Sequence, residues 1–189
     1  MNEFAFLTQT VGEFLDELAS ETPVPGGGSA AGIAVAMGAA LVGMAARVSD
    51  DWPDAGGVRV QADALRKRVT PLAQQDAQAY ADVIEARRES SGDEKLGKAL
   101  SRAAAFPLQI AEAAADVAVL GALVAEHGNA NARADAAAGA VLAEAGARAA
   151  AKLVEVNLST LEADAWVVRA REFAAAASAA AERALAMEA

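Results

Sequence analysis

Thr22-Pro23-Val24-Pro25-Gly26-Gly27-Gly28-Ser29, running without a charge into the small-residue segment from Ala30 to Ala46, is the stretch that decides the fold. Two prolines hold the chain extended, three glycines strip the turn of side chains, and Ser29 is suited to cap a following helix. The pattern predicts a helix from Ser29 to about Ser49. At its bare N-terminus, free N–H groups and the positive end of the helix dipole favour a carboxylate or phosphate. The same residues also suit a plain tight connection between packed helices. The spacing is neither a P-loop nor a dinucleotide fingerprint, and no Lys follows the glycines. By hydropathy Thr22 to Ala46 resembles a membrane span. Its residues are mainly Ala and Gly, however, with Ile33, Val35, Met37, Leu41, Val42 and Met44 its strongly apolar members. Insertion would gain little, so a buried central helix is expected, with Gly28/Gly32 and Gly38/Gly43 letting neighbours approach.

Composition extends this reading to the whole chain. The hydrophobic share is 54%, most of it Ala, while aromatic residues make up 4%. That balance favours closely packed helices over a sheet with large core side chains, so the expected class is all-α. A chain of 189 residues suits one domain, and no linker or composition shift divides residues 1–189. The formal charge of −10, spread along the chain, argues against nucleic acid and anionic membranes as partners. The absence of Cys excludes disulfides and thiolate metal sites. Met1-Asn2-Glu3-Phe4 lacks the basic start of a signal peptide, which makes the cytoplasm the expected compartment.

Before the glycine turn, Thr10 and Glu13 form a capping box for a short helix with Phe14, Leu15 and Leu18 as its apolar stripe. Turn formers from Asp50 to Gly57 end the second helix. A third is expected from Val58 to Arg88, kinked or divided at Pro71. After a loop from Glu89 to Asp93, a fourth runs to Ala125 with a bend near Pro107, and His127-Gly128-Asn129 reads as a helix C-terminus. Asn131 is expected to cap a fifth. Beyond Arg148 the apolar pattern continues through Val154, Leu158, Leu161, Val168 and Phe173 into an Ala-rich C-terminal helix.

Two groups of polar residues stand out. Val58, Ala62, Leu65, Val69, Leu72, Asp76, Tyr80 and Val83 are spaced by threes and fours and so share one helical face. A carboxylate on such a stripe is costly unless paired, and burial raises its pKa toward the range useful in acid–base chemistry. Either Asp76 is functional, or a kink at Pro71 turns it outward. Tyr80, one turn on, either hydrogen-bonds Asp76, stacks on a flat ligand, or fills the core. In the second group, Gly128-Asn129-Ala130-Asn131 precedes Asp135, and Asn131 and Asp135 stand four apart on one face. They either bind a polar heterocycle together, or Asn131 caps the helix and Asp135 complements its dipole. His127, the single histidine, has no ligand pattern around it, and no metal site is expected.

Thr10-Val11-Gly12-Glu13-Phe14-Leu15, Pro23 through Ala31, Asp76-Ala77-Gln78-Ala79-Tyr80, Pro107, Gly128-Asn129-Ala130-Asn131 and Asp135, in this order, resemble the cyclodeaminase/cyclohydrolase family over nearly the whole chain. That family includes the cyclodeaminase half of formiminotransferase-cyclodeaminase and stand-alone methenyltetrahydrofolate cyclohydrolases. The resemblance implies an up-and-down helical bundle of about five to seven helices, with long kinked members, that forms a homodimer. It also implies a tetrahydrofolate derivative as substrate and no permanently bound cofactor. Asp76 falls on the family's proposed catalytic carboxylate. Gly26, Gly27, Gly28, Ser29, Tyr80, Asn129, Asn131 and Asp135 become candidate substrate-binding residues. The chain departs from the family pattern in lacking a basic stretch after the second helix. It also has Leu153 and Glu155 where relatives carry Asn and Arg, and Ala134 where they carry Ser. A non-catalytic folate-binding or structural homologue is the alternative that these departures keep open.

Overall fold

The computed structural model describes residues 6–89, 92–158 and 165–187, and every regular element among them is helical. After a 3-10 turn at Phe6–Thr8 come α1 (Val11–Leu18), α2 (Gly27–Arg47), α3 (Ala55–Val69), α4 (Leu72–Arg88) and α5 (Asp93–His127). A second 3-10 turn at Ala130–Ala132 leads into α6 (Arg133–Asn157), and α7 (Ala165–Leu185) closes the order. The expected bundle is thus present.

Local chemistry explains most of the boundaries. The capping box of α1 forms, with Glu13 N donating to Thr10 Oγ1 at 3.2 Å and Thr10 N donating to Glu13 Oε2 at 2.7 Å. Phe14 packs on Phe6, whereas Leu15 of the expected stripe faces solvent. Pro71 divides rather than kinks the third expected helix: α3 ends at Val69 and α4 begins at Leu72. The apolar pattern beyond Arg148 is likewise two helices, α6 and α7; Leu161 lies outside the described residues.

Pro107 sits fully buried inside the unbroken 35-residue α5. Having no N–H, it leaves the carbonyl of Ala103, one turn earlier, without its helical partner. Asn157 at the end of α6 supplies the missing donor, its Nδ2 lying 3.1 Å from Ala103 O.

The central element is α2, whose length and composition would suit a membrane span but which packs here against α3, α4, α5 and α6. Small residues set how close these contacts are. A methyl group on Gly38 would stand 2.6 Å from Gly139 O, so α2 and α6 cross with backbone against backbone. The core is consequently a mass of alanines filled out by Val35, Val42, Val69, Ile110, Val117, Val124 and Val154. Running antiparallel to α2, α6 brings Gly146 to Ala31 and Val35, and Leu153 to Gly27. The N-terminus of α2, the start of α4, the first third of α5 and the C-terminus of α6 therefore meet at one end of the bundle.

Candidate active site

At that end lies a cleft of about 240 Å³ lined by Pro23, Val24, Gly26, Gly27, Gly28, Asp76, Tyr80, Ala103, Leu153, Val156 and Asn157. Asp76 comes from the second turn of α4, whose buried face is Leu72, Ala73, Ala77, Ala79, Val83 and Ala86. The carboxylate lies beside that stripe, half-buried, and makes no hydrogen bond or ion pair with the described residues. Burial pushes its pKa up to about 6. An unpartnered carboxyl titrating near neutrality, with open space before it, is a candidate for acid–base chemistry.

Gly28 makes room for that carboxylate. A Cβ at position 28 would fall 2.1 Å from Asp76 Oδ2, 2.3 Å from Cγ and 2.4 Å from Oδ1. The carboxyl group thus rests in the space that any other residue's side chain would occupy. Gly27, by contrast, has room: its Cβ would meet only Leu153 Cδ1, at 3.9 Å. One glycine of the turn seats a side chain of another helix, while the next leaves the cleft open.

Ser29 requires a correction. It neither caps α2 nor faces the cleft. Gly26 occupies the N-cap position, and Ser29 is fully buried with its hydroxyl donating to Ala73 O at 2.8 Å. It ties α2 to α4 two residues from Gly27, which fixes the register that lands Asp76 on Gly28. Tyr80 stands on the rim, 36% exposed, and makes no hydrogen bond to Asp76. Its ring is free to receive a flat ligand.

The second group lies elsewhere. Asn129 N donates to Ser49 Oγ at 2.8 Å, and Asn129 Nδ2 donates to Val48 O at 2.8 Å, so this turn is fastened to the C-terminal end of α2. Across the 21 residues of α2 it is about 30 Å from the glycine turn. Asn129 Oδ1, not the Asn131 side chain, provides the cap, accepting from Asn131 N at 2.9 Å; Ala132 precedes α6 without a side-chain cap. Asn131 and Asp135 are exposed on one face, and within a single chain they do not reach the Asp76 cleft.

The 172-residue span 10–181 matches the family model described as formiminotransferase-cyclodeaminase. The chain belongs to this family. It is 34% identical over 169 residues to the methenyltetrahydrofolate cyclohydrolase of Methylorubrum extorquens, a match covering 82% of this chain and 81% of that protein. Its fold superposes on the crystal structure of the formiminotetrahydrofolate cyclodeaminase of Thermotoga maritima with a TM-score of 0.87, at 25% identity and with 96% of each chain covered.

Within this formiminotransferase-cyclodeaminase family member, the departures from the family pattern fall in distinct places. Leu153 is on the cleft wall, so an apolar side chain replaces a polar one beside the glycine turn. Glu155 instead pairs with Arg171 Nε at 2.7 Å and with Lys152 Nζ at 3.1 Å, and Arg171 above all holds its pKa below the usual carboxylate range. Ala134 is at the far end with Asn131. Sequence reasoning gave Val24, Ala103, Val156 and Asn157 no role at the cleft. For Asn157 a partial signal existed: Pro107 announces that the Ala103 carbonyl needs a donor, although only the fold says which residue provides it.

Proposed function

We propose that this chain is a one-carbon tetrahydrofolate enzyme that hydrolyses 5,10-methenyltetrahydrofolate to 10-formyltetrahydrofolate, with Asp76 moving the proton. The observation that carries the reading is Asp76 itself: half-buried, unpartnered among the described residues, seated on Gly28 and titrating near 6. The relative with the higher identity, named a cyclohydrolase, supports hydrolysis over ammonia release.

The steps need one group that takes and returns a proton. Water adds to the carbon bridging N5 and N10, and the Asp76 carboxylate accepts a proton as the new C–O bond forms. The adduct then breaks its bond to N5, which receives the proton back from Asp76. The remaining hydroxyl loses its proton as the formyl C=O forms on N10. One water is consumed and one proton released, in balance with the loss of the substrate's cationic charge. An ionised Asp76 also favours that cation electrostatically, in surroundings where no other charged side chain among the described residues lines the cleft. Tyr80 offers its ring face to the pterin, and Gly27 leaves the backbone approachable.

Ring closure of 5-formiminotetrahydrofolate uses the same shuttle, with the proton of N10 delivered to departing ammonia. Both reactions are distinguished in one assay. Purified protein is given methenyltetrahydrofolate, followed by loss of near-ultraviolet absorption, and separately formiminotetrahydrofolate, followed by its appearance. Turnover of the first supports the proposal; turnover of only the second replaces hydrolysis with deamination. Binding without either reaction makes the chain a folate binder.

A further inference from the structure

Asn157 has one half of its amide committed and the other half open. Its Nδ2 donates to Ala103 O at 3.1 Å, the carbonyl that Pro107 leaves without a helical partner. That bond fixes which way the amide faces, since a flipped side chain would set Oδ1 against Ala103 O, acceptor against acceptor. Oδ1 accepts nothing from the described residues, and it is not sealed from solvent either: among them Gln9 Oε1 is the buried side-chain oxygen or nitrogen without a partner. Asn157 lines the Asp76 cleft, so its carbonyl is an acceptor that the bundle holds open there. Among the described lining residues it is the one amide, beside the Asp76 carboxyl and the Tyr80 hydroxyl.

The helices set where this acceptor stands. Past the N-terminus of α2, α4 runs from Ala73 at Gly32 to Asp76 at Gly28, and α6 runs from Gly146 at Val35 to Leu153 at Gly27. Asp76 and Leu153 are therefore level with the glycine turn, and Tyr80 and Asn157, four residues on, stand about 6 Å beyond it on two walls of the cleft. Ala103 lies between those walls, packed with Ala79 and Val83 of α4 while its carbonyl holds Asn157 of α6. A ligand with its reacting atoms at Asp76 accordingly extends a flat part past Tyr80 to Asn157.

We propose that Asn157 is the residue by which the cleft selects a pterin: its Oδ1 accepts from N3–H of the ring and rejects heterocycles without a donor there. The proposal rests on the folate reading above and deepens it. In a pterin, N8–H belongs to the same ring as N5, next to the carbon at which Asp76 works. N3–H is on the adjoining ring, at the further reach that one helical turn supplies. Ala103 O is already taken by Asn157, and the Asp76 carboxyl is taken by proton transfer, so Oδ1 is the fixed side-chain acceptor left for the ring. An acceptor held in advance costs little ordering on binding, and a ligand lacking the donor leaves it covered and unpaired, which is how a site rejects an analogue.

The probes are 5-formyltetrahydrofolate, which carries no bridge between N5 and N10 to open, and its 3-methyl derivative, which lacks the N3–H. Both are titrated by calorimetry into wild type and Asn157→Leu, a side chain of similar size without the acceptor. A lost hydrogen bond whose acceptor stays unpaired is worth about tenfold, so wild type should bind the methyl derivative about tenfold or more weakly than the parent. Asn157→Leu should bind the parent more weakly by a similar factor and hold the two ligands within about threefold of each other. A purely structural Asn157 would not carry that discrimination. Since Leu also orphans Ala103 O, the titrations are repeated in Pro107→Ala with Asn157→Leu, where the N–H of residue 107 returns the helical donor and keeps the test open should the single variant fail to fold. Equal affinity for both probes in wild type, or equal discrimination in wild type and a folded variant, would overturn the role of Asn157 alone. No binding of either probe by wild type would overturn the folate reading and this role with it.

Discussion

Gly28→Ala tests the seating of Asp76 with a single methyl group. The added Cβ would lie 2.1 to 2.4 Å from all three carboxyl atoms, whereas ordinary contact begins at about 3.4 Å. The carboxylate therefore moves by about 1 Å or more, and it has somewhere to go, since the cleft lies open beside it. A misplacement of about 1 Å costs on the order of 10²-fold in rate, so kcat for methenyl hydrolysis should fall about a hundredfold with a smaller change in KM. Helical Ala is better than Gly by about 1 kcal/mol, which offsets part of the repacking, and the melting temperature should change little. Moved outward, Asp76 is better solvated, and its pKa falls from about 6 toward the ordinary value. The acid limb of the pH–rate profile should move to lower pH accordingly. Gly27→Ala is the control, since its Cβ meets only Leu153 Cδ1 at 3.9 Å. The assay is stopped-flow loss of methenyl absorption for wild type and both variants across pH 4.5 to about 8, alongside melting curves. If Gly28→Ala stays folded and within about threefold of wild-type kcat, either the glycine does not position Asp76 or Asp76 does not move the proton.

Asp76→Asn should lower turnover by about 10²-fold or more with little change in folate affinity. Because the folded pKa of about 6 lies above the unfolded value near 3.8, wild-type stability falls as pH rises between those values, and the cost is complete above pH 6. The Asn variant lacks that dependence and should gain on the order of 3 kcal/mol at pH 7, seen as a higher urea midpoint; an equal midpoint at pH 7 would show that Asp76 is not desolvated. Ser29→Ala leaves the Ala73 carbonyl without its donor at a fully buried site and should cost about 1–3 kcal/mol in chemical denaturation. Folate affinity below its melting temperature should hold, since the hydroxyl does not reach the cleft; a large affinity loss in the folded variant would restore Ser29 to the ligand. Gly38→Ala places a methyl 2.6 Å from Gly139 O, backbone that cannot swing aside, and should destabilise by several kcal/mol, with wild-type stability refuting the close crossing of α2 and α6.

The sequence by itself determined the class and most of the elements. Ala-rich composition with few aromatics excluded a sheet core, the capping box at Thr10 and Glu13 started α1 where it reads, and Pro71 and the turn formers after Ser49 separated helices in order, although α3 begins at Ala55 and takes in Gly56 and Gly57 that read as turn. These signals are local: a cap, a proline or a turn acts within one helical turn of itself. Periodicity likewise singled out Asp76 as a candidate, because a carboxylate among apolar residues at helical spacing is visible without a fold. What Ser29 and Gly28 do was not legible, since both are defined by α4, more than forty residues away, through a hydroxyl on Ala73 O and a carboxyl in the space of a missing side chain. Nor could Asn157 be assigned, because its partner is a carbonyl freed by Pro107 on another helix. Only tertiary structure decided that the glycine turn and Asp76 share one end of the bundle while Asn131 and Asp135 sit at the other. Spacing along a chain fixes which residues share a helical face, but the direction in which α2 runs past α4 and α6 is set by their packing, and that direction determines which faces meet.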